Sequence, residues 1–92
     1  MGASPIDLST FLEHVRGVAA LLPPGRHAVN LCEDRYRFLV GFCAVALRGQ
    51  VNLLPPSRAP AVVAEVQQRH AQAWCLGDTA PDPLPAGWFA LP

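Results

Sequence analysis

Lysine is absent from this 92-residue chain: its seven basic residues are all arginine, seven acids balance them, and the formal net charge is zero. Without a basic run there is no electrostatic footprint for nucleic acid or a membrane surface. Charge of either sign is scarce, at 15% of residues against 51% hydrophobic, which leaves little polar material to cover a small core. Cysteine is sparse and odd in number. Cys32, Cys43 and Cys75 form no Cys-x-x-Cys pair and no His/Cys ligand spacing, so no zinc site is expected. Each lies among apolar neighbours and reads as a reduced core thiol. The longest apolar run, Phe38–Leu47, is too short for a bilayer span, which takes about 20 residues. The glycines are scattered singly, with no Gly-x-Gly-x-x-Gly and no Walker A sequence. The start, MGASPIDLS, has neither a basic stretch nor an apolar core, so no signal peptide is expected. Met1-Gly2 is a poor myristoylation start, given Asp7 and the lack of basic residues. These absences together point to one small cytoplasmic domain.

What remains is an alternation of helices and strands. Asp7 is placed to cap a helix over 8–22, in which Leu8, Phe11, Leu12, Val15, Val18, Ala19 and Leu22 form an apolar stripe. Pro23-Pro24-Gly25 stops it. His27–Cys32 reads as a buried parallel strand, and Asp34 as the cap of a helix over 34–48. That helix is apolar nearly all round, so it needs the sheet on one side and the first helix on another. Gly41 in its middle costs about 1 kcal/mol relative to alanine, which implies close approach to a neighbour. Arg48 and Gly49 end it. Val51–Leu54 is a second strand closed by Pro55-Pro56. Ser57 or Ala59 caps a helix over 59–70, with Pro60 in its first turn, Val62, Val63 and Val66 facing inward and Glu65 paired with Arg69. A third strand covers 73–76.

Short connections in the order α-β-α-β-α-β predict an α/β fold. It is a three-layer α/β/α unit with a three-stranded parallel sheet, strand order 2-1-3. Residues 1–78 form one subdomain, and 79–92 a Pro-rich linker carrying an apolar segment. Trp88, Phe89 and Leu91 read as a further strand or a docking segment, since burying each is worth about 1.5–3 kcal/mol.

Residue chemistry offers no catalytic, cofactor-binding or metal-binding set. The turn after the first strand carries Glu33-Asp34 where a dinucleotide site needs glycines, and helix capping accounts for both acids. His14, His27 and His70 fall on different elements, with no nucleophile paired to any of them. Arg35 and Arg37 read as a solvated helix face. Arg58 is placed beside a proline corner at the carboxyl end of the sheet, where ligands of open α/β sheets gather. It is the single candidate for ligand contact, and a ligand bound there would perturb Cys32–Asp34 and Ser57–Arg58.

Three stretches carry a resemblance. PGRHAVNLCEDRYRFLVGFCAVALRGQ is similar to a strand followed by a helix of the Ala-Leu-Arg-x-Gly type ending, VNLLPPSRAP to a proline-bounded strand and loop, and AVVAEVQQRHAQAWCLGD to a helix and closing strand. Arg26–Asp78 as a whole resembles the N-terminal subdomain of the adenylate-forming superfamily. These are the AMP-binding acyl- and aryl-CoA synthetases, with the luciferases and peptide-synthetase adenylation domains. The matches are packing residues, and Pro56-Ser57 stand where asparagine is frequent in that loop. The resemblance implies a parent enzyme that uses ATP and Mg²⁺ to make an acyl-adenylate, then passes the acyl group to CoA or a carrier-protein thiol. It places the phosphate loop and catalytic lysine outside these residues, so the chain is expected to be inactive alone. Its implied partner is the rest of the parent enzyme, or a second copy through an exposed apolar face. Two other readings stand beside it: a free-standing α/β binding or assembly module, and a small ligand-binding domain with its site near Arg58.

Overall fold

Local capping sets the first element of the computed structural model, which describes residues 7–92. The Met1-Gly2 start lies outside them. The Asp7 carboxylate accepts from the Thr10 amide at 2.8 Å, and helix α1 runs Leu8–Ala19. It is shorter than the expected 8–22, because Pro23 disfavours helical geometry in the residue before it. Leu22 still reaches the core from the turn that follows. The stripe is also narrower than its spacing suggested: Val15, Val18 and Ala19 are buried, but Leu8 and Leu12 stand exposed.

Strand β1 is His27–Asn30. Helix α2 is Arg35–Leu47, capped by Asp34, whose carboxylate accepts from the Arg37 amide at 2.9 Å. Gly49 then turns the chain at a positive φ of 72° into β2, Val51–Leu53. Helix α3 is Pro60–Arg69. Its N-cap, Ala59, has no side-chain bond to give, and the Ser57 hydroxyl instead accepts from the Ala59 amide at 3.0 Å. Strand β3 is Trp74–Gly77.

All strands are parallel, and β1 lies between β2 and β3 as expected. The sheet has four strands rather than three. Trp88–Ala90 forms β4, parallel to β3 with Cys75 opposite Trp88. The apolar tail therefore takes up the free edge of β3, which would otherwise leave a row of unpaired amides. The sequence leaves a strand and a docking segment as alternatives there, because the crossover is not a helix: residues 79–87 carry Pro81, Pro83 and Pro85 and cross in irregular form.

The layers follow from the alternation of side chains along the strands. Ala28, Leu76 and Trp74 face one side, where α1 and α2 contribute Val15, Val18, Val40, Ala44 and Val45. Val29 and Cys75 face the other, under Val63 of α3. Helices on opposite faces are what two right-handed crossovers running in opposite directions produce. Gly41 explains the fit of α2. A Cβ there would stand 2.6 Å from the Leu76 side chain and 3.4 Å from that of Asn30, so the glycine lets the helix lie close on β3. The end of α2 also ties down the end of α1, because the Arg48 guanidinium donates to Ala19 O at 2.6 Å. A cation at the carbonyl end of a helix is favourable. The outer face of α2 is left partly uncovered, with Leu39 49% and Leu47 60% exposed.

Candidate functional site

The strand order places a topological switch between β1 and β3, whose chains leave in opposite directions. In open parallel sheets the crevice beyond the carboxyl ends of such strands is where ligands bind. The structure gathers there the residues singled out from the sequence, namely Cys32, Glu33, Asp34 and Arg58, and adds Asp78 and Asn30.

Asn30 is the foundation. It is buried at the end of β1, its amide donates to Phe38 O at 3.0 Å, and its carbonyl oxygen accepts from the Cys32 amide at 3.0 Å. These two bonds fix the β1–α2 turn against the first turn of α2. The turn then presents two free amides, those of Glu33 and Asp34, at a helix start that attracts anions. Asp78, from the end of β3, fills that position. Its two carboxylate oxygens accept from Glu33 N and Asp34 N, both at 2.9 Å. Partial desolvation raises the Asp78 pKa. The hydrogen bonds from Glu33, Asp34 and its own amide, with the charge of Arg37, outweigh that effect and hold the carboxyl below its ordinary value.

Arg58 closes the crevice from the β2–α3 loop. It donates to Cys32 O at 2.8 Å, and its guanidinium stands 3.6 Å from the Glu33 carboxylate. Arg58 thus latches two loops together. Arg37 lies 3.7 Å from Asp34 with both side chains about half exposed, and Arg35 is exposed, in keeping with a solvated face.

The thiols are not poised for nucleophilic work. Burial, with the Asp78 charge adding to it and Arg58 and Arg37 opposing it, pushes Cys32 up to about 11. Burial alone takes Cys75 to about 11. At neutral pH that leaves a thiolate fraction of about one in ten thousand. Cys32, Cys43 and Cys75 are all free. The histidines find partners away from the crevice: His14 bonds the Tyr36 hydroxyl, while His27 and His70 face each other with ring centroids 4.8 Å apart. Among the described residues no group of three or more His, Cys, Asp or Glu side chains could hold a metal ion. No helix among them is long and apolar enough to cross a membrane.

Among the described residues, a hollow of about 520 Å³ opens at the carboxyl edge beside Glu33, Asp34, Arg37 and Asp78, and grooves lie on both faces of the sheet. One, about 500 Å³, lies between α1 and α2 beside Leu91 and Pro92. The other, about 470 Å³, lies between α3 and the Pro-rich crossover. The candidates drawn from the sequence did not include Asn30 and Asp78, although each carries a signal: a polar residue closing an apolar strand, and an acid directly after the terminal glycine of another.

No protein-family model matches the chain, and no curated protein does.

Proposed function

We propose that the chain is the N-terminal structural subdomain of an AMP-forming acyl- or aryl-CoA synthetase-like ligase, without catalytic activity of its own. One observation carries the non-catalytic half of this reading. At the carboxyl edge, the two amides that could hold a phosphate already hold Asp78, and Arg58 already holds a carbonyl and faces Glu33. The kinship half is supported by the three matching stretches and by their folding into consecutive parallel α/β units with β1 central. In such a ligase ATP, Mg²⁺ and a CoA or carrier-protein thiol act on residues supplied by other parts of the enzyme. The three free thiols accord with a cytoplasmic setting.

Two measurements test the reading. The reading frame beyond Pro92 is expected to encode a Ser/Thr/Gly-rich phosphate loop. Acid-dependent ATP–pyrophosphate exchange is expected from the whole product and not from residues 1–92. A frame that closes without such a loop, or exchange by the isolated chain, overturns the proposal. The alternative, a free-standing binding or assembly module, is favoured by exposed Leu39, Phe42 and Leu54, and a closed reading frame would support it.

A further inference from the structure

Strand β2 ends the sheet, and its outer side is unpaired. Val51 donates its amide to Arg26 O at 2.7 Å. Backbone groups along a strand alternate in direction, so Asn52 and Leu54 turn their N–H and C=O away from β1. Charge or proline usually blunts such an edge, and Val51–Leu54 carries neither.

The edge is complementary to itself. Two copies related by a two-fold axis at Asn52 pair antiparallel, and the two Asn52 residues exchange both backbone bonds. The Leu54 amide of each copy then meets Gln50 O of the other, while the Gln50 amide stays on Val45 O. Side chains fit the same axis. Asn52 donates to Phe42 O at 3.1 Å, which leaves a second hydrogen on its amide nitrogen. Its Oδ1 is buried with no partner among the described residues. Residues opposed in a hydrogen-bonded pair stand about 5.5 Å apart between Cα atoms, close enough for the two Asn52 carboxamides to bond each other.

Helix α2 makes a second copy a better occupant than a foreign strand. It packs over β1 and β2 alike, so it stands one strand spacing, about 4.8 Å, from an axis just outside β2. Two such helices lie about 10 Å apart, the interaxial distance of packed helices. At about 100° per residue, Phe38 and Phe42 fall on the flank opposite Tyr36, whose ring meets Phe11 of α1. Their rings stack with centroids 6.3 Å apart, and the bond from Asn52 sets Phe42 level with the axis. Antiparallel helices then place Phe38 of one copy against the exposed Ala46 of the other. Arg35, the charge of α2 nearest this flank, is a full seven residues from Phe42. Its two copies therefore stand roughly 20 Å apart, beyond a Debye length.

We propose that β2 is a homodimer edge: two copies join β2 to β2 antiparallel about Asn52, with α2 against α2. The inference stands apart from the ligase reading, since it involves neither the carboxyl edge of the sheet nor any residue beyond Pro92. Two measurements on the 92-residue chain test it. Amide hydrogen exchange is followed from about 10 μM to 1 mM, a range suited to a small interface. The Asn52 and Leu54 amides are expected to slow by at least about threefold across it, while Val51 and Leu53, bound to β1, do not change. The second measurement swaps charge at exposed Phe42. Phe42→Lys and Phe42→Glu are each expected to sediment as monomers and an equimolar mixture to recover the dimer, because opposite charges rescue only a residue that meets its own copy. Exchange at Asn52 that ignores concentration, a monomer throughout, or a mixture no more associated than its components would each overturn the proposal. Association that survives either Phe42 variant alone would place the contact on another face and overturn it as well.

Discussion

Gly41 shows how one residue trades local preference for packing. In an isolated helix Gly41→Ala would gain about 1 kcal/mol. Here the added methyl meets the end of the Leu76 side chain, which is fully buried and must repack to make room, and it crowds Asn30. Overpacking of this kind costs about 1–3 kcal/mol, and disturbance of the Asn30 bonds adds to it. Gly41→Ala is expected to lower stability by about 1–2 kcal/mol in urea unfolding; a stabilised variant would show that α2 does not need this close approach. Asp78 gives a second residue-scale expectation. Its folded pKa lies below the unfolded value near 3.8. Its contribution is therefore complete above that value and lost as pH falls through the lower folded one. Asp78→Asn should reduce stability at pH 7 by about 1 kcal/mol, a modest amount because solvent screens a partly exposed carboxylate. The difference from the parent chain should shrink as pH falls below the unfolded value and through the lower folded one, as followed by thermal unfolding.

Elements that depend on near neighbours along the chain are legible in the sequence. Asp7 and Asp34 cap helices through bonds three residues away, and the Gly49 stop acts within its own turn. Strand β4 is only partly legible. Its aromatic residues signal burial, but the rule that parallel strands alternate with helices gives no pairing when the crossover is proline-rich and irregular. Its importance is testable through Leu91, which follows β4 and is buried against the α1–α2 side of the sheet. Leu91→Ala is expected to cost about 2–3 kcal/mol by urea unfolding. Removal of residues 79–92 should be more severe, since it also bares the β3 edge and takes away Trp88 and Phe89. Retention of parent-like stability after that truncation would mean that residues 1–78 fold without β4.

The whole molecule leaves apolar surface open on one side. Leu39, Phe42 and Leu47 on α2, with Val51 and Leu54 around the edge strand β2, are between 36% and 60% exposed. Asn52 donates to Phe42 O at 3.1 Å, which joins the helix face to the edge strand. An exposed patch of this kind marks an interaction surface or an association hazard. Sedimentation velocity is expected to show mass rising with concentration, and Leu39→Glu with Leu54→Glu to suppress the rise. A monomer at all concentrations would remove self-association from consideration for this face.

The amino-acid sequence by itself determined the α/β class, the central place of β1 and the positions of α1, α2 and α3 to within a few residues. Those features arise from periodicity, capping and proline or glycine punctuation, all of which act over one or two helical turns. Only the tertiary structure decided that the tail becomes a fourth strand and that the ligand edge is occupied from within. Asp78 reaches Glu33 and Asp34 across 45 and 44 residues. Contacts over such separations exist only once β1 and β3 lie side by side, and no local pattern in the chain announces them.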